Sequence, residues 1–596
     1  MPISFSSHHR APFPPRRPTG KKILPLPAVA LPQALSHLRS ARFPVGGLQL
    51  DGWWMEQLTL QPDKSLFPTG WAAFRRSLGG NSTGLLLYKA FFAEEYDLFV
   101  KGGFAKVQSP TGAWYPAPDD AEGFFTALFR QGLTLGMTAF ETDFMSDHML
   151  PTPGLANTTR GVPAYLQGIA NAGLATGTPM QWCMPTAGIV LSAVDKPAVT
   201  NARASVDYAC EGPLPTTMNV TWRSNYQIGN AGHLFWAAGV PPSKDIFRTT
   251  SRQPGGPASC GSLHDNPNFE LDAVLAVLST GPVGLGDGVG LTNLSLARRL
   301  CRQDGLVLKP SKPITAVDST FVPPTVTLLH ESASSPRPFV GFLPLTRDGD
   351  CTATRPCSPA LHQTHGMITL GPGYAAYGAA ATGDDIPLAG RGGGVGSGSM
   401  AWHTLLSIHL GPFRPPIADV YPAMGARRYY FRESRWSRCP NGTKVTAACA
   451  LPFEAAAADS WLPDLSSGPT RLDEQGAVAW RLFHFAPVLP IPPPTDGGAA
   501  VADGDGWTLL GELDKVVPVS PHRFSAIAVT RRTGSGHAIG AHGRRGDGSG
   551  GSCIWFRLAG PTAELVVVSI LSPSQRFLDV ERLVGSCATS ACSVCE

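Results

Sequence analysis

The stretch DDAEGFFTALFRQGLTLGMTAFETDF, residues 119–144, decides the fold class. Its first half places apolar side chains on one helical face behind an acidic first turn, the pattern of an amphipathic helix. Its second half begins as a buried strand and ends in the acids Glu141 and Asp143. A helix followed directly by a buried strand is the repeating unit of a parallel sheet covered by helices. The apolar face of the helix comprises Phe124, Phe125, Leu128, Phe129 and Leu133.

The same alternation extends outward from this stretch, over residues 34–305. NPNFELDAVLAVLST (266–280) has the helical pattern, and seven apolar runs have the pattern of strands. A closed barrel needs eight strands, and its first would precede a helix at about 34–42, where the preceding residues 1–30 are rich in proline. We therefore expect an α/β fold, a (β/α)8 TIM barrel that lacks its first strand if the N-terminus is shortened. The seven runs are 45–54, 83–92, 136–144, 179–187, 201–208, 233–239 and 281–287.

Beyond about residue 325 the pattern changes to alternating β-branched and aromatic segments, which predict an antiparallel β-sandwich. Insertions rich in glycine or proline interrupt it at 390–399, 490–498 and 531–552. The predicted organisation is a Pro-rich N-terminal segment that is disordered or truncated (1–33), a (β/α)8 catalytic barrel (34–322) and a C-terminal β-sandwich with Gly/Pro-rich insertions (323–596).

Charge and hydropathy exclude two kinds of partner. The net charge of +4 comes without a sustained basic stripe, so the footprint of a nucleic-acid-binding protein is missing. No apolar run is long enough to span a membrane. We expect neither nucleic acid nor a membrane span.

Cysteine and asparagine usage indicates an oxidising compartment. The 12 cysteines lack zinc-type spacing, so we expect disulfides, with a small metal site in the tail CATSACSVCE (587–596) as the alternative. Five Asn-x-Ser/Thr triplets predict a glycoprotein that is secreted or held in the secretory pathway or vacuole. The N-terminus opposes this, because no apolar signal core follows its positive charge. The acceptors are Asn81, Asn157, Asn219, Asn293 and Asn441.

Polar and aromatic side chains fall at the ends of the predicted strands, which meet at one mouth of a parallel barrel. Carboxylates accept hydrogen bonds from hydroxyls, and indole faces stack on pyranose rings, so this pattern favours a sugar site. Alternatively, the acids cap helices and the aromatics are core, or Asp143, Asp147 and His148 bind a metal. The strand-end residues are Asp51, Trp53, Trp54, Tyr88, Lys89, Glu141, Asp143, Trp182, Arg203, Asp207 and Asp287.

Several motifs carry a resemblance to a known family. The stretch GPVGLGDGVGLTNLSLARRLCRQDGLVLKPSKPITAVDSTF (281–321) resembles the end of the barrel in the raffinose synthase and seed-imbibition α-galactosidase group of glycoside hydrolase family thirty-six. ARASVDY (202–208) is similar to that group's Arg-Ala-Ser-Asp-Asp-Phe segment, and PPSKDIF (241–247) to its Pro-Asp-Trp-Asp-Met-Phe segment. ETDF (141–144) occupies the place of its Lys-x-Asp, and GWTLLGELDKVVPVSPHRFSAI (506–527) resembles a late segment of the plant enzymes.

The resemblance implies an enzyme, an α-galactosidase-like O-glycosyl hydrolase of carbohydrate metabolism. Asp143 would be the nucleophile and Asp207 the acid/base of a retaining double displacement on an α-glycosidic bond. It implies an oligosaccharide or glycoside as substrate, with no cofactor and no metal, and it leaves the oligomeric state open. It also implies that Asp51, Arg203, Asp245 and Asp287 hold or orient the sugar. The full set of residues expected to bind the substrate adds Trp53, Trp54, Tyr88, Lys89, Glu141, Trp182, Trp236 and Lys244.

The departures from the family pattern bear on activity. Glu141 stands where the group has a lysine, and a second negative charge beside Asp143 would blunt its attack unless Lys89 or Arg203 compensates. A single Asp51 replaces a pair of aspartates, and Val206 replaces another aspartate. Two alternatives therefore stay open: a carbohydrate-binding pseudoenzyme, and a transglycosylase of the raffinose synthase type that passes the sugar to an acceptor hydroxyl.

Overall fold

The chain forms two compact units. The first comprises Met1–Val307 with Asp473–Ala477, and the second comprises Leu308–Leu472 with Val478–Glu596. None of the helices among the described residues has the length and apolarity that crossing a membrane requires. The computed structural model describes residues 4–7, 27–205, 228, 231–251, 253, 266, 268–316, 365–369, 375–376, 400–408, 429–434, 451–453, 480–491, 506–531, 552–574, 576–588 and 592–595.

A curled sheet of eight parallel strands, with helices between them, forms the first unit. In chain order the strands are β1 (Ser4–Ser7), β2 (Gly47–Leu50), β3 (Gly84–Tyr88), β4 (Ala139–Thr142), β5 (Met180–Trp182), β6 (Val199–Arg203), β7 (Pro242–Ser243) and β8 (Gly284–Leu285). Their spatial order is β8-β1-β2-β3-β4-β5-β6-β7. A parallel bridge between Phe247 and Leu285 joins the segment after β7 to β8. The predicted parallel sheet with covering helices is confirmed.

Strand β1 lies where no strand was recognised in the sequence. It pairs in parallel with β2 and with β8, with Ser4 opposite both Gly47 and Gly284. The segment SFSS is short and mostly serine, so neither apolar alternation nor β-branched side chains mark it as a strand.

The prediction of a strand at 233–239 is wrong, because residues 231–237 are helical. The strand of this unit is instead Pro242–Ser243, which follows Gly239 at a φ of 79°. A short apolar run fits a buried helix as well as a buried strand, and periodicity cannot separate them.

Both helices predicted from their patterns are confirmed, as Ala121–Thr134 and Phe269–Leu278. Four of the five predicted face residues of the first helix are buried, but Leu133 is 42% exposed. Gly132 takes the buried position there, since a Cβ on it would lie 2.7 Å from Sδ of Met137. Further helices are Pro27–Ser40, Trp71–Ser77, Asp97–Val100, Pro153–Ala156, Gly161–Thr176, Ala187–Leu191 and Leu294–Arg298.

Antiparallel sheets form the second unit, as its alternating pattern predicts. A six-stranded sheet has the order Ile314–Ala316, His365–Thr369, His403–Ile408, Trp480–Pro487, Tyr429–Ser434, Leu451–Phe453. A four-stranded sheet has the order Leu489–Pro490, Gly506–Gly511, Leu565–Leu571, Phe577–Leu583, and a three-stranded sheet the order Phe524–Arg531, Ser552–Leu558, Cys592–Cys595.

The four-stranded and three-stranded sheets bury one hydrophobic core together. Trp507 and Val568 from the first and Phe524 and Ile554 from the second belong to it, and all four are fully buried. Burial of this apolar surface is the main stabilising contribution in the unit.

Two disulfides lie at the C-terminal end of the second unit. They join Cys553 to Cys595 and Cys587 to Cys592. All three cysteines of the tail therefore form disulfides, which the sequence analysis favoured over a metal site. Among the described residues, Cys183 and Cys301 are buried, and Cys183 is free.

Candidate active site

The carboxylate of Asp143 is held at the C-terminal end of β4. The Tyr88 hydroxyl donates to Oδ2 at 3.0 Å, and the Phe144 backbone N–H donates to Oδ1 at 2.6 Å. Phe144 has a φ of 53°, a left-handed conformation that costs about 1 kcal/mol or more outside glycine. The chain thus turns sharply after the strand, and the turn aims a backbone donor at the acid.

Three strand ends converge around Tyr88. Burial raises the pKa of Tyr88 well above its usual range, and the charges of Asp143 and Asp51 raise it further. Tyr88 is therefore a protonated hydrogen-bond donor at neutral pH. Asp51, half exposed at the end of β2, accepts from the Gly52 N–H at 2.6 Å. The predicted convergence of Asp51, Tyr88 and Asp143 is observed.

Arg203 carries the positive charge of the site. Its Nη1 lies 3.4 Å from Oδ2 of Asp245, and both side chains are buried. Burial lowers the pKa of Arg203, but Cys183 and the acids Asp245, Asp143 and Glu141 outweigh it and raise the pKa above its ordinary value. The guanidinium therefore stays charged and acts on Asp143 and Glu141 at once.

Glu141 belongs to a hydrogen-bonded belt across five strands. Gln49 on β2 donates to its Oε2, and Gln181 on β5 donates to its Oε1 at 2.9 Å. Asn201 on β6 donates to Oε1 of Gln181 at 2.8 Å and to Oγ of Ser243 on β7 at 3.4 Å. We call these five residues the polar belt. Glu141 is 3% exposed, so protein donors bind it where the sequence suggested a sugar.

Lys89 does not provide the compensating charge. Burial lowers its pKa to about 8, and its Nζ lies 5.1 Å from the ring centroid of Tyr96 and 5.7 Å from that of Phe92. Within the described part of the chain, no ion pair of Lys89 with a carboxylate is found. Of the two cations expected to balance Glu141, the structure brings Arg203 to the acids.

Two further predicted residues are held by protein partners. Nζ of Lys244 lies 3.2 Å from Oδ1 of Asp272, on the helix Phe269–Leu278, and both side chains are buried. Asp287 accepts from the backbone N–H and the hydroxyl of Thr249, at 2.8 and 2.9 Å, and also from Gln253. Burial raises the pKa of Asp287, and these hydrogen bonds oppose it. Both residues therefore fix loops beside the site.

The four predicted tryptophans divide into two pairs. Trp54 and Trp182 are fully buried and present no face for stacking on a sugar; Trp54 packs on Trp71 with centroids 5.2 Å apart. Trp53 is half exposed and Trp236 is 38% exposed. Of the four, Trp53 and Trp236 are the two that have exposed surface.

Cys183 is a site residue that sequence analysis missed. It directly follows β5, is fully buried, and its backbone N–H donates to the Thr142 carbonyl at 2.8 Å. Burial raises the pKa of its thiol, and Asp143, which shares a hydrogen bond with it, raises it further. Its position directly after a buried strand was the available signal, but the even cysteine count suggested a disulfide.

The alternative metal site at Asp143, Asp147 and His148 has no cluster to support it. Asp147 accepts from the Ser146 hydroxyl at 2.8 Å, and the His148 ring stacks on Phe91 at 5.3 Å. No group of three or more metal-ligating side chains occurs among the residues described. The predicted acid/base, Asp207, lies outside the described residues.

Comparison with known proteins gives only distant likenesses. No family model matches the chain, and no curated protein matches it. Among solved structures it is similar to an α-galactosidase from Thermus thermophilus in complex with p-nitrophenyl α-D-galactopyranoside (16% identity, TM-score 0.36), over 50% of this chain and 60% of that chain.

Two structures from Geobacillus stearothermophilus are also similar. One is a family twenty-seven β-L-arabinopyranosidase (10% identity, TM-score 0.44, 84% of this chain, 97% of that chain). The other is a family thirty-six α-galactosidase (8% identity, TM-score 0.41, 81% of this chain, 55% of that chain). Likenesses this weak establish neither the activity nor the substrate of this chain.

Proposed function

We propose that the protein is a retaining glycoside hydrolase that acts on α-glycosidic bonds, with α-galactosides as its first substrate class. The observation that carries this proposal is the setting of Asp143. Its carboxylate ends a parallel strand, receives hydrogen bonds from Tyr88 and Phe144, and faces the charge of Arg203. Such a setting fixes the carboxylate in direction, as attack on an anomeric carbon requires.

The proposed reaction has two displacements. An oxygen of Asp143 attacks the anomeric carbon, the glycosidic C–O bond breaks, and Asp207 donates its proton to the leaving oxygen. Asp207 then takes a proton from water, the water oxygen attacks the same carbon, and the bond to Asp143 breaks. Each step inverts the configuration, so the product retains it.

We assign Arg203 the role of the positive charge that the family's lysine supplies, because Glu141 stands in place of that lysine. A cation is still present at the nucleophile, but it reaches the acids from β6 and is itself held by Asp245. Gln49 and Gln181 donate hydrogen bonds to Glu141 and so stabilise its carboxylate. The cation of Arg203 then offsets the negative charge that Glu141 adds beside Asp143.

The finer structural assignments belong to the same proposal. The Phe247–Leu285 bridge supports a closed (β/α)8 barrel, and the shared core of two antiparallel sheets supports a β-sandwich. The motif resemblance supports the raffinose synthase group. The disulfides support a secretory or vacuolar location, and N-glycosylation stays a prediction.

A panel of aryl α-glycosides tests the proposal with wild type, Asp143→Asn and Asp147→Asn. We expect kcat/KM to fall by about four orders of magnitude or more for Asp143→Asn. Asp147→Asn is the matched control, because it makes the same change four residues away on an exposed side chain. Equal rates for wild type and Asp143→Asn on every hydrolysed glycoside would remove Asp143 from the role.

Two further readouts separate the alternatives. An Asp207→Ala variant should lose most activity on sugar leaving groups and keep more on nitrophenolate, which needs no protonation. Sugar binding without turnover would identify a pseudoenzyme. Transfer of the sugar to the hydroxyl of added sucrose in preference to water would identify a transglycosylase.

A further inference from the structure

Two non-glycine residues with left-handed backbones lie at equivalent positions beside the candidate active site. Phe144 has a φ of 53° and Met184 a φ of 51°. Each is the second residue after a strand, since β4 ends at Thr142 and β5 at Trp182. Thr142 is paired with Trp182 in the sheet. The two neighbouring strands therefore make the same sharp turn at the same level of the sheet.

Hydrogen bonds tie both turns to each other and to Asp143. The backbone N–H of Ser146 donates to the Met184 carbonyl at 3.0 Å. The Phe144 N–H donates to Oδ1 of Asp143 at 2.6 Å. Cys183, the residue before Met184, shares a hydrogen bond with Asp143 through its thiol. Both left-handed residues are thus fixed next to the proposed nucleophile.

The conformation at these two positions is one that glycine adopts without penalty, because glycine has no Cβ. At Met184 the departure is larger, since Pro185 follows it and the residue before a proline is normally extended. The other non-glycine residues of positive φ among those described, Arg42 and Thr280, precede β2 and β8 and so lie at the opposite end of the sheet. Strained residues that persist at a functional site point to a use there.

Packing explains only part of the choice of side chain at these turns. The ring centroid of Phe144 lies 4.7 Å from that of His148 and 6.0 Å from that of Phe91. These three residues and Met184 are all half-buried. Apolar surface is therefore left accessible at both turns, at the C-terminal strand ends where a parallel barrel binds its substrate.

The geometry of the proposed displacement decides which part of the substrate these side chains would meet. The nucleophile and the leaving group occupy opposite sides of the anomeric carbon when the glycosidic bond breaks. Groups beside Asp143 therefore lie near the glycone, the sugar whose anomeric carbon is attacked, and away from the leaving group. Apolar side chains there suit the C–H groups of a pyranose ring.

We propose that Phe144 and Met184 are specificity-determining residues whose side chains contact the glycone and hold it over Asp143. The inference rests on the proposed hydrolysis and adds to it the part of the site that recognises the sugar. The chain accepts a left-handed backbone at two positions because a glycine at either one would leave that contact out. Loss of either side chain should then weaken binding of the sugar itself, whatever the leaving group.

The variants Met184→Gly and Phe144→Gly test the proposal on the full chain. Isothermal titration calorimetry should show that the dissociation constant of D-galactose rises by about 10-fold or more in each. The value of kcat/KM should fall by a similar factor for 4-nitrophenyl α-D-galactoside and for α-galactosyl fluoride, whose leaving groups differ in size. If another aryl glycoside of the panel is hydrolysed faster, its free sugar and its glycosyl fluoride are the probes.

Arg42→Gly is the matched control, and Met184→Leu is the conservative variant. Arg42 is exposed and has the same φ as Phe144, so its replacement relieves the same backbone conformation away from the site. It should bind and hydrolyse as wild type does. Met184→Leu keeps an apolar side chain of similar volume and should stay within about threefold of wild type in both measurements.

Thermal unfolding separates contact with the sugar from a structural role. The melting temperatures of both glycine variants should stay within about 4 °C of wild type, because relief of the left-handed backbone offsets the lost packing. A purely structural role would lower the melting temperature and leave the dissociation constant of the folded protein unchanged.

The outcomes distinguish failure of this inference from failure of the proposed function. An unchanged dissociation constant in both glycine variants, or a loss of kcat/KM confined to the nitrophenyl substrate, would overturn the glycone contact while hydrolysis by wild type stands. A wild type that hydrolyses no glycoside, yet binds the sugar more tightly than both glycine variants, would contradict the proposed hydrolysis and keep the contact. A wild type that neither hydrolyses a glycoside nor binds a sugar would overturn both.

Discussion

The Tyr88 hydroxyl donates a hydrogen bond to Oδ2 of Asp143 at 3.0 Å, from the end of one parallel strand to the end of the next. The two residues are 55 positions apart in sequence, and the parallel pairing of β3 with β4 brings them together. Tyr88 is thereby a positioning residue for the proposed nucleophile, and its loss should lower kcat.

Replacing Tyr88 by phenylalanine should lower kcat on the best aryl α-glycoside by about 10- to 100-fold. A hydrogen bond to a charged group contributes about 1.5–3 kcal/mol, and the ring itself is kept. Steady-state kinetics checks this. Tyr96→Phe is the control, because the Tyr96 hydroxyl is buried without a partner in the described residues. Identical kcat values for the two variants would contradict the positioning role.

Restoring the family's lysine at position 141 should destabilise the protein by about 3–5 kcal/mol. The ammonium would meet the amide donors of Gln49 and Gln181 and the like charge of Arg203 in a buried position. Urea unfolding measures the change. Glu95→Lys makes the same exchange on an exposed residue and should stay within about 0.5 kcal/mol of wild type. A stable Glu141→Lys protein with raised activity would show that the polar belt does not need its carboxylate.

The sequence indicated which strands end in acids but not which partners those acids meet. Glu141 and Asp143 were placed correctly at the end of β4, because the period of a strand is local. The donors to Glu141 come from β2 and β5. In the sheet β5 lies next to β4, and β2 lies on the far side of β3, an order that the local pattern does not reveal. Lys244 and Asp287 were assigned to a sugar for the same reason. Their partners, Asp272 for Lys244 and Thr249 for Asp287, are far from them along the chain, and no sequence pattern links them.

Local ambiguity explains the remaining errors. The segment SFSS has no apolar pattern, yet pairing with two parallel neighbours makes it a strand. The run 233–239 is apolar after His233, and residues 231–237 are helical. Trp54 and Trp182 are strand-end aromatics that pack in the core, which residue type alone does not reveal.

Titration of the buried Lys89 should increase the free energy of unfolding as the pH rises from 8 to 10.5. Its pKa is about 8 in the folded chain against an ordinary value of 10.5. Between these values the unfolded chain binds more protons, so stability rises with pH, by up to about 1.4 kcal/mol per unit. Below pH 8 the lysine is protonated in both states and its contribution is constant.

The comparison of wild type with Lys89→Met isolates this effect. Their difference in unfolding free energy should change across this range, measured by urea unfolding at several pH values. The plot of unfolding free energy against pH for Lys64→Met, which changes an exposed lysine, should be parallel to that of wild type. If the plot for Lys89→Met is also parallel, the pKa of Lys89 is the same in the folded and unfolded chains.

Removing the buried Arg523 should destabilise the second unit by about 3–5 kcal/mol. Arg523 is fully buried and pairs with both Glu512 and Glu564, and Arg523→Met removes this buried guanidinium from two buried carboxylates. Arg481→Met breaks a half-exposed pair and should cost about 1 kcal/mol or less. Chemical unfolding of both variants tests the difference, and equal losses would show that burial of the Arg523 network contributes nothing extra.

Covalent labelling tests the role of Asp143 most directly. A fluorinated galactosyl donor with a good leaving group forms the glycosyl-enzyme quickly. The fluorinated glycosyl-enzyme is hydrolysed slowly, so this intermediate accumulates. We predict that intact-protein mass spectrometry finds one added fluorosugar, and that peptide mapping places it on Asp143. A label on another residue, or turnover of the donor without any labelled species, would contradict the account.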